Sequence, residues 1–231
     1  MDVPARRRRA EIHANVNMNA VETIARGFLA SGGKRLRPRL CEAVYRSIRP
    51  EGTDDLAPLK EAIECFHKAS LVHDDIQDGD ETRYGRPTVW KRHGVPVAVA
   101  VGDWLVAHGY ELIARSGFAN AAAMLEATAA SHLRLCEGQG DELLGAGDYV
   151  SVCERKTGEA FALAATLGAM AAGAEPAAYR EWGLVFGVLF QIRADSADAG
   201  ETDELRRLRA EYERRLRALK VDFAEAIGAG R

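Results

Sequence analysis

The sequence predicts an all-α protein, and several features of its 231 residues support that fold class. Apolar residues recur at intervals of three and four, alanine and leucine dominate, and the apolar–polar alternation that indicates a strand is scarce. The chain is long enough for one well-buried core and contains no internal repeat or low-complexity linker. We therefore expect one domain over residues 1–231, with a flexible tail at 1–15 and an atypical C-terminal helix at 203–231.

Helical periodicity divides the chain into segments that are separated by glycine and proline. The predicted helices cover approximately Ala20–Ala30, Arg37–Ser47, Leu56–Ile76, Pro96–Ser116, Ala119–Leu144, Val150–Ala172, Ala177–Ala194 and Asp203–Ile227. Most are rich in small residues and apolar on more than one side, as expected for helices buried in a larger bundle. The last helix carries a narrow apolar stripe among charged residues, which favours a bundle edge over a partner-binding helix. The stripe residues are Leu205, Leu208, Tyr212, Leu216, Leu219 and Phe223.

Composition argues against several classes of function. A net charge of −3 does not suggest nucleic-acid binding, and the basic run Arg6–Arg9 is interpreted as part of the solvated tail. No apolar run approaches the length of a membrane span, and the first residues lack the apolar core of a signal peptide. We expect a cytoplasmic protein with no membrane segment and no nucleic-acid partner.

The segment Ser70–Asp78 is an apolar helical run that ends in the carboxylates of Asp74, Asp75 and Asp78. Asp74 and Asp78 are four residues apart and share one helix face, with Asp75 beside them. Like charges this close repel one another unless a cation neutralises them. Mg²⁺ is the natural candidate, because it is typically held by one or two carboxylates together with substrate phosphates. A solvated acidic helix end is the alternative interpretation.

Other polar groups around this motif favour a ligand-binding site over a solvated helix end. His67 precedes Asp74 by seven residues, which places both on the same helix face. Two loops, Gly32–Pro38 and Gly79–Pro87, combine glycine with cations, and such loops bind phosphate through backbone amides and arginine. The pattern suggests two phosphate subsites around a metal.

A second polar set lies late in the chain. Gln191, Asp195 and Asp198 share one face of a predicted helix, so any pairing with the first motif is tertiary. Lys156, Thr157 and Gln139 supply further polar groups on otherwise apolar helices.

With these motifs the chain resembles the trans-isoprenyl diphosphate synthases of the polyprenyl synthetase family, such as geranylgeranyl and farnesyl diphosphate synthases. The resemblance runs from about Gly32 to Asp198 and follows the order of the family's motifs. The matching segments are GGKRLRP at Gly32–Pro38, His67, HDDIQDGDETRYGRPT at His73–Thr88, GQGDEL at Gly138–Leu143, KTG at Lys156–Gly158 and FQIRADSAD at Phe190–Asp198.

The resemblance implies an antiparallel helical bundle of the isoprenoid synthase (class I terpenoid synthase) type around a central apolar cavity. It further implies Mg²⁺ as cofactor, prenyl diphosphates as substrates, and condensation of isopentenyl diphosphate with an ionised allylic diphosphate. It suggests a homodimer. By match, Asp74, Asp75, Asp78, Lys156 and Arg83 are catalytic, and the implied metal ligands are Asp74, Asp75, Asp78, Asp195 and Asp198. The implied substrate-binding residues are Lys34, Arg37, His67, Arg83, Tyr84, Ser70, Thr157, Gln139 and Gln191, where small residues at positions 69 and 70 leave room for a long chain.

Some positions depart from the family pattern. Tyr84 follows Arg83 where a second arginine is usual, Ala194 stands where the second motif usually has an aspartate, and the chain ends at Arg231 where family members usually continue. Two alternatives to a prenyltransferase therefore stay open. One is a terpene cyclase or lyase, in which the Tyr84 ring stabilises a carbocation. The other is a non-catalytic subunit that pairs with a full-length synthase.

Overall fold

The computed structural model describes residues 20–219 and 221–228, so the predicted tail at 1–15 lies outside the described residues. Within this part of the chain the regular secondary structure is helical apart from one short antiparallel hairpin, and the all-α prediction is confirmed. The helices are α1 (Ala20–Leu29), α2 (Leu36–Ile48), α3 (Ala57–Gln77), α4 (Val89–His93), α5 (Val95–Ala114), α6 (Ala121–Leu143), α7 (Tyr149–Cys153), a π-turn (Glu154–Gly158), α8 (Glu159–Ala171), α9 (Ala177–Ala199) and α10 (Asp203–Ala218). The hairpin strands are β1 (Thr82–Arg83) and β2 (Arg86–Pro87).

Every predicted helix is present, but several boundaries differ. The helix predicted at 150–172 is interrupted by the π-turn at Glu154–Gly158, and α9 continues five residues past the predicted end to Ala199. The last helix ends at Ala218, whereas periodicity placed its end at Ile227. Phe223 keeps the apolar spacing of the helix although it lies in the non-helical segment that follows. Its ring packs against the Trp182 ring, with 5.2 Å between ring centroids.

Contacts group the described residues into two compact units, one containing residues 20–33 and 65–108 and the other containing residues 34–64, 109–219 and 221–228. The expectation of a single domain stays a prediction. In the second unit α8 packs on α2, α6 and α9, and residues 161–169 of α8 are all buried. Glycines allow this close packing: a Cβ atom at Gly183 would lie 2.6 Å from the Phe161 carbonyl oxygen and 2.8 Å from the Ala162 Cα.

The charged helix α10 forms an edge of the second unit, as its apolar stripe predicts. It lies against α9, and its buried Tyr212 belongs to a core cluster that includes Val185, Val188 and Ile192. The remaining stripe residues pack on this cluster from partly buried positions: Leu205, Leu208, Leu216 and Leu219.

Helix α5 is apolar over most of its length, with Asp103 and Glu111 as its acidic residues. By length and composition it could cross a membrane, with a mean hydropathy of 1.3, although 33% of its most apolar stretch is buried. A buried helix of a globular protein passes the same test, so one such helix in the described part of the chain is weak evidence. The expectation of no membrane segment stays a prediction.

Replacing Gly183 with alanine should destabilise the protein, because the new methyl group meets backbone atoms of α8 that cannot rotate away. Overpacking of this kind lowers the free energy of unfolding by roughly 1–3 kcal/mol. Gly140→Ala on α6 is the matched control: a Cβ there has open space, so it should raise the stability by up to about 1 kcal/mol. Urea unfolding measures both, and equal stabilities would contradict the proposed close contact.

Candidate functional site

The acidic motif lies at the C-terminal end of α3. This helix ends at Gln77, and the Asp78 amide still donates to the Asp74 carbonyl oxygen at 2.8 Å. Asp74 and Asp78 are therefore one helical turn apart, as the spacing predicts. Asp78 is exposed and Asp74 half-buried, whereas Asp75 is only 1% exposed. Two of the three carboxylates thus remain accessible to a ligand.

Asp75 is paired with Arg83 of the hairpin. The Arg83 Nε donates to Asp75 Oδ1 at 2.5 Å, and its terminal nitrogen lies 3.5 Å from Asp80 Oδ2. Burial raises the pKa of the Asp75 carboxyl, and the contact with Arg83 acts against that rise. Within the described residues Asp75 Oδ2 has no hydrogen-bond partner. In this state Asp75 anchors Arg83, and the roles expected for both toward metal and diphosphate stay predictions.

The accessible carboxylates fit a magnesium site that a diphosphate completes. No group of three or more His, Cys, Asp or Glu side chains in the described part of the chain forms a ready metal cluster. Mg²⁺ does not need one, since it usually takes one or two carboxylates and fills its shell with water and phosphate oxygens. Asp74 and Asp78, one turn apart at an open helix end, supply that donor set.

Lys68 is a feature of this unit that sequence reasoning missed. Its side chain is fully buried, and its Nζ donates to the carbonyl oxygens of Ser31 at 2.6 Å and Gly32 at 3.0 Å. The ammonium also lies 4.8 Å from the centroid of the Tyr84 ring. A lysine next to His67 within an apolar helical run was the available signal, because lysine is rarely fully buried without a specific environment.

His67 and Ser70 occupy the preceding turn of α3. His67 is half-buried, and the exposed Ser70 donates its hydroxyl to the His67 carbonyl oxygen at 2.8 Å. Ala69 between Lys68 and Ser70 is buried. The predicted roles of these residues toward substrate stay predictions.

In the second unit the late polar set forms a connected network. Thr157 donates to Gln191 Oε1 at 2.9 Å, and Gln191 Nε2 donates to Asp195 Oδ1 at 2.8 Å. Tyr149, which sequence reasoning also missed, donates to Asp195 Oδ2 at 2.6 Å. Burial and this hydrogen bond raise the pKa of the Tyr149 hydroxyl, so it stays a donor. Lys156 forms an ion pair with Glu142. These groups line a cavity of about 350 Å³.

The π-turn positions Lys156 and Thr157. Such turns leave the regular helical ladder and occur often at functional sites. A Cβ at Gly138 would lie 2.9 Å from the Lys156 backbone nitrogen, so the GQGDEL segment packs directly on the turn. On the other side, the buried Tyr212 of α10 donates to Glu154 Oε1 at 2.9 Å. The edge helix therefore braces the segment that carries the predicted diphosphate lysine.

The other predicted residues of this unit are placed separately. Lys34 is exposed in the loop before α2, and the Arg37 guanidinium lies 4.5 Å from the Phe161 ring centroid. Gln139 is half-buried on α6, and Asp198 is exposed near the end of α9, one turn after Asp195.

Comparison with known proteins supports one family. A family model described as Polyprenyl synthetase matches residues 18–206. A geranylgeranyl diphosphate synthase from Cereibacter sphaeroides is 36% identical over 179 residues, which are 73% of this chain and 61% of that protein. The match to this chain covers 55%, 60% and 61% of the length of three curated relatives. The chain therefore spans less than two thirds of the length of each of these proteins.

Solved structures of related proteins agree with this family assignment. A geranylgeranyl pyrophosphate synthetase from Pyrococcus horikoshii superposes with a TM-score of 0.69 at 35% identity, over 77% of this chain and 58% of that one. An isoprenoid synthase family member from Thermotoga neapolitana gives a TM-score of 0.78 over 96% of this chain and 93% of that one. The two sequences are 24% identical, so this similarity shows the fold alone. The predicted helical bundle of the isoprenoid synthase type is confirmed.

Removing Arg83 should leave the buried Asp75 carboxylate without its cation. Arg83→Met should lower the free energy of unfolding by about 3 kcal/mol at pH 7, the usual cost of breaking a buried pair from one side. The folded-state pKa of Asp75, already raised, should rise further. Stability is then retained below the unfolded-state pKa and lost as pH rises through the folded-state pKa, so the deficit should shrink at pH 4.

The exposed Arg86 in the same hairpin supplies the control, and Arg86→Met should change stability by less than about 0.5 kcal/mol. Urea unfolding at both pH values measures the effect. A deficit in Arg83→Met that does not depend on pH would rule out Asp75 as its cause.

Proposed function

Because the chain belongs to the polyprenyl synthetase family, we propose that it is a trans-prenyltransferase that condenses isopentenyl diphosphate with an allylic diphosphate. The relatives with which it shares 31–36% identity include geranylgeranyl diphosphate synthases and a short chain isoprenyl diphosphate synthase. The observation that carries the proposal is the pair Asp74 and Asp78, one turn apart and accessible at the end of α3.

Asp74 and Asp78 would hold Mg²⁺, with Asp195 and Asp198 as the second carboxylate set. The metal, when bound, neutralises the negative charge that develops on a departing diphosphate. Asp195 is already oriented, because Gln191 and Tyr149 donate to its two oxygens.

The cations would supply the remaining charge stabilisation. Lys156 stands at the cavity with Thr157 and Gln191, where it can exchange its contact with Glu142 for a phosphate oxygen. Lys34 and Arg37 would serve the isopentenyl diphosphate, as the family motif suggests. Once Lys156 contacts the allylic diphosphate, its positive charge stabilises the negative charge that develops as this group leaves.

The cyclase alternative loses its specific support in this structure. It relied on the Tyr84 ring facing a carbocation, but that ring lies against the Lys68 ammonium and covers Gly32. The non-catalytic subunit remains an alternative that activity of the purified chain decides.

A homodimer is part of the proposal. Val95 and Val99 lie one turn apart on α5 and are 44% and 42% exposed, which leaves an apolar strip that a second copy would cover.

The purified chain should be incubated with Mg²⁺ and allylic diphosphates of several lengths, with and without isopentenyl diphosphate. Elongated diphosphates that require both substrates support the prenyltransferase. A hydrocarbon or alcohol from one substrate supports a cyclase. No product until a full-length synthase is added supports the subunit.

Asp74→Ala should lower turnover by about 100-fold or more, because it removes a metal contact made to the transition state, and it should leave the fold intact. Asp78→Ala should behave similarly. Glu204→Ala changes an exposed carboxylate of α10 in the other unit and should keep full turnover. Mass spectrometry of products and circular dichroism measure the two effects, and a folded Asp74→Ala enzyme with normal turnover would disprove the metal role.

Ala69→Phe should shorten the preferred product, because a ring at this buried position reduces the space for a growing chain. Overpacking should also cost roughly 1–3 kcal/mol of stability, so thermal unfolding must accompany the assay. Ser70→Ala, which removes only an exposed hydroxyl, is the matched control and should keep the product length. If folded Ala69→Phe gives the same product lengths, the limit to chain growth lies elsewhere.

A further inference from the structure

The Lys68 ammonium donates hydrogen bonds to two consecutive backbone carbonyl groups. It is fully buried and donates to Ser31 O at 2.6 Å and to Gly32 O at 3.0 Å. Both carbonyl oxygens therefore point toward the same side of the Gly32–Gly33 turn.

This arrangement fixes the direction of two amides. In a planar trans peptide the C=O of one residue and the N–H of the next point in opposite directions. The N–H groups of Gly32 and Gly33 therefore face away from Lys68, both toward the same side. Within the described residues neither amide donates a hydrogen bond to the protein. Two successive amides that face one side of a turn can donate to different oxygens of one polyanion such as a diphosphate.

Tyr84 packs on the turn beside the Lys68 ammonium. A Cβ at Gly32 would lie 2.8 Å from Tyr84 Cδ2, so the ring packs directly on the Gly32 Cα. The φ angles of Gly32 and Gly33 are +31° and +102°, a region in which glycine is strongly preferred. The Tyr84 ring and the Phe28 ring both flank the ammonium, at 4.8 Å and 5.0 Å from their centroids.

We propose that Lys68 and Tyr84 are positioning residues that aim the Gly32 and Gly33 amides at a diphosphate, with the buried ammonium adding positive charge behind them. That the anion is isopentenyl diphosphate rests on the proposed function. Lys68 and Tyr84 together then take over the work of a second arginine in the hairpin. An arginine at position 84 would bring a guanidinium against the Lys68 ammonium, and the two like charges would repel.

Isothermal titration calorimetry with isopentenyl diphosphate tests this positioning role. EDTA in the buffer removes divalent metal, so the affinity is measured without turnover. Lys68→Met should weaken binding by about tenfold or more, since a charge and its two hydrogen bonds are lost. Tyr84→Leu should weaken it several-fold, whereas Tyr84→Phe, which keeps the ring, should stay within about twofold of wild type. Tyr84→Arg should weaken binding, and adding Lys68→Met to it should restore part of the affinity.

Matched controls separate this effect from loss of folding. Lys91→Met removes an exposed lysine of the same unit that pairs with Glu81, and Gly27→Ala adds a methyl group to α1 where nothing lies within 4 Å. Both should bind like wild type, whereas Gly32→Ala should bind weakly because of the Tyr84 ring. In turnover, the Lys68 and Tyr84 variants should raise KM for isopentenyl diphosphate and leave KM for the allylic substrate unchanged.

The outcomes distinguish the two claims. Wild type that binds isopentenyl diphosphate but forms no product refutes the proposed reaction and leaves the positioning role intact. Folded Lys68→Met with wild-type affinity overturns the positioning role, as does wild type that fails to bind. If Lys68→Met does not fold, equal affinities of Tyr84→Leu and Tyr84→Phe, or of Gly32→Ala and Gly27→Ala, overturn it instead.

Discussion

The ion pair between Asp75 and Arg83 is the interaction on which the first unit depends. The hairpin that carries Arg83 has only the pairs Thr82–Pro87 and Arg83–Arg86, and so short a ribbon is not stable alone. A buried charge at the end of α3 anchors it. Since Asp75 holds Arg83, the next residue, Tyr84, is held at a positive φ of 53° with its ring over Gly32. One buried carboxylate thus orients a loop, a ring and a glycine turn.

This arrangement also gives the three aspartates different environments. The ionised carboxylates of Asp74, Asp75 and Asp78 would repel one another if all three faced the same point. Turning Asp75 into the protein, onto a cation, leaves Asp74 and Asp78 as a pair that a divalent metal and a diphosphate can complete. The buried, paired carboxylate and the two accessible carboxylates proposed as metal ligands therefore come from one short motif.

The second unit reaches its polar network through close helix packing. A Cβ at Gly187 would lie 2.7 Å from the Gly158 Cα, so α9 approaches the π-turn almost to backbone contact. At that separation the short side chain of Thr157 reaches Gln191 directly, and Gln191 orients Asp195. Small residues that look like mere core filler in the sequence are what bring the polar groups together.

Periodicity and motif order were sufficient to predict the helices, the shared face of Asp74 and Asp78 and the family, because these depend on local spacing along the chain. The sequence also indicated that α10 is an edge helix. It did not predict the contacts of Lys68 and Tyr149, because their partners Ser31 and Asp195 are distant in sequence. It also did not predict the π-turn or the pairing of Asp75 with Arg83, because apolar periodicity reports neither the hydrogen-bond register of a helix nor the partner of a buried charge. Tyr84 shows the difference most clearly. From the sequence it is a missing arginine, while in the fold its ring covers a buried ammonium and a glycine turn, since only tertiary packing decides which charge an aromatic face meets.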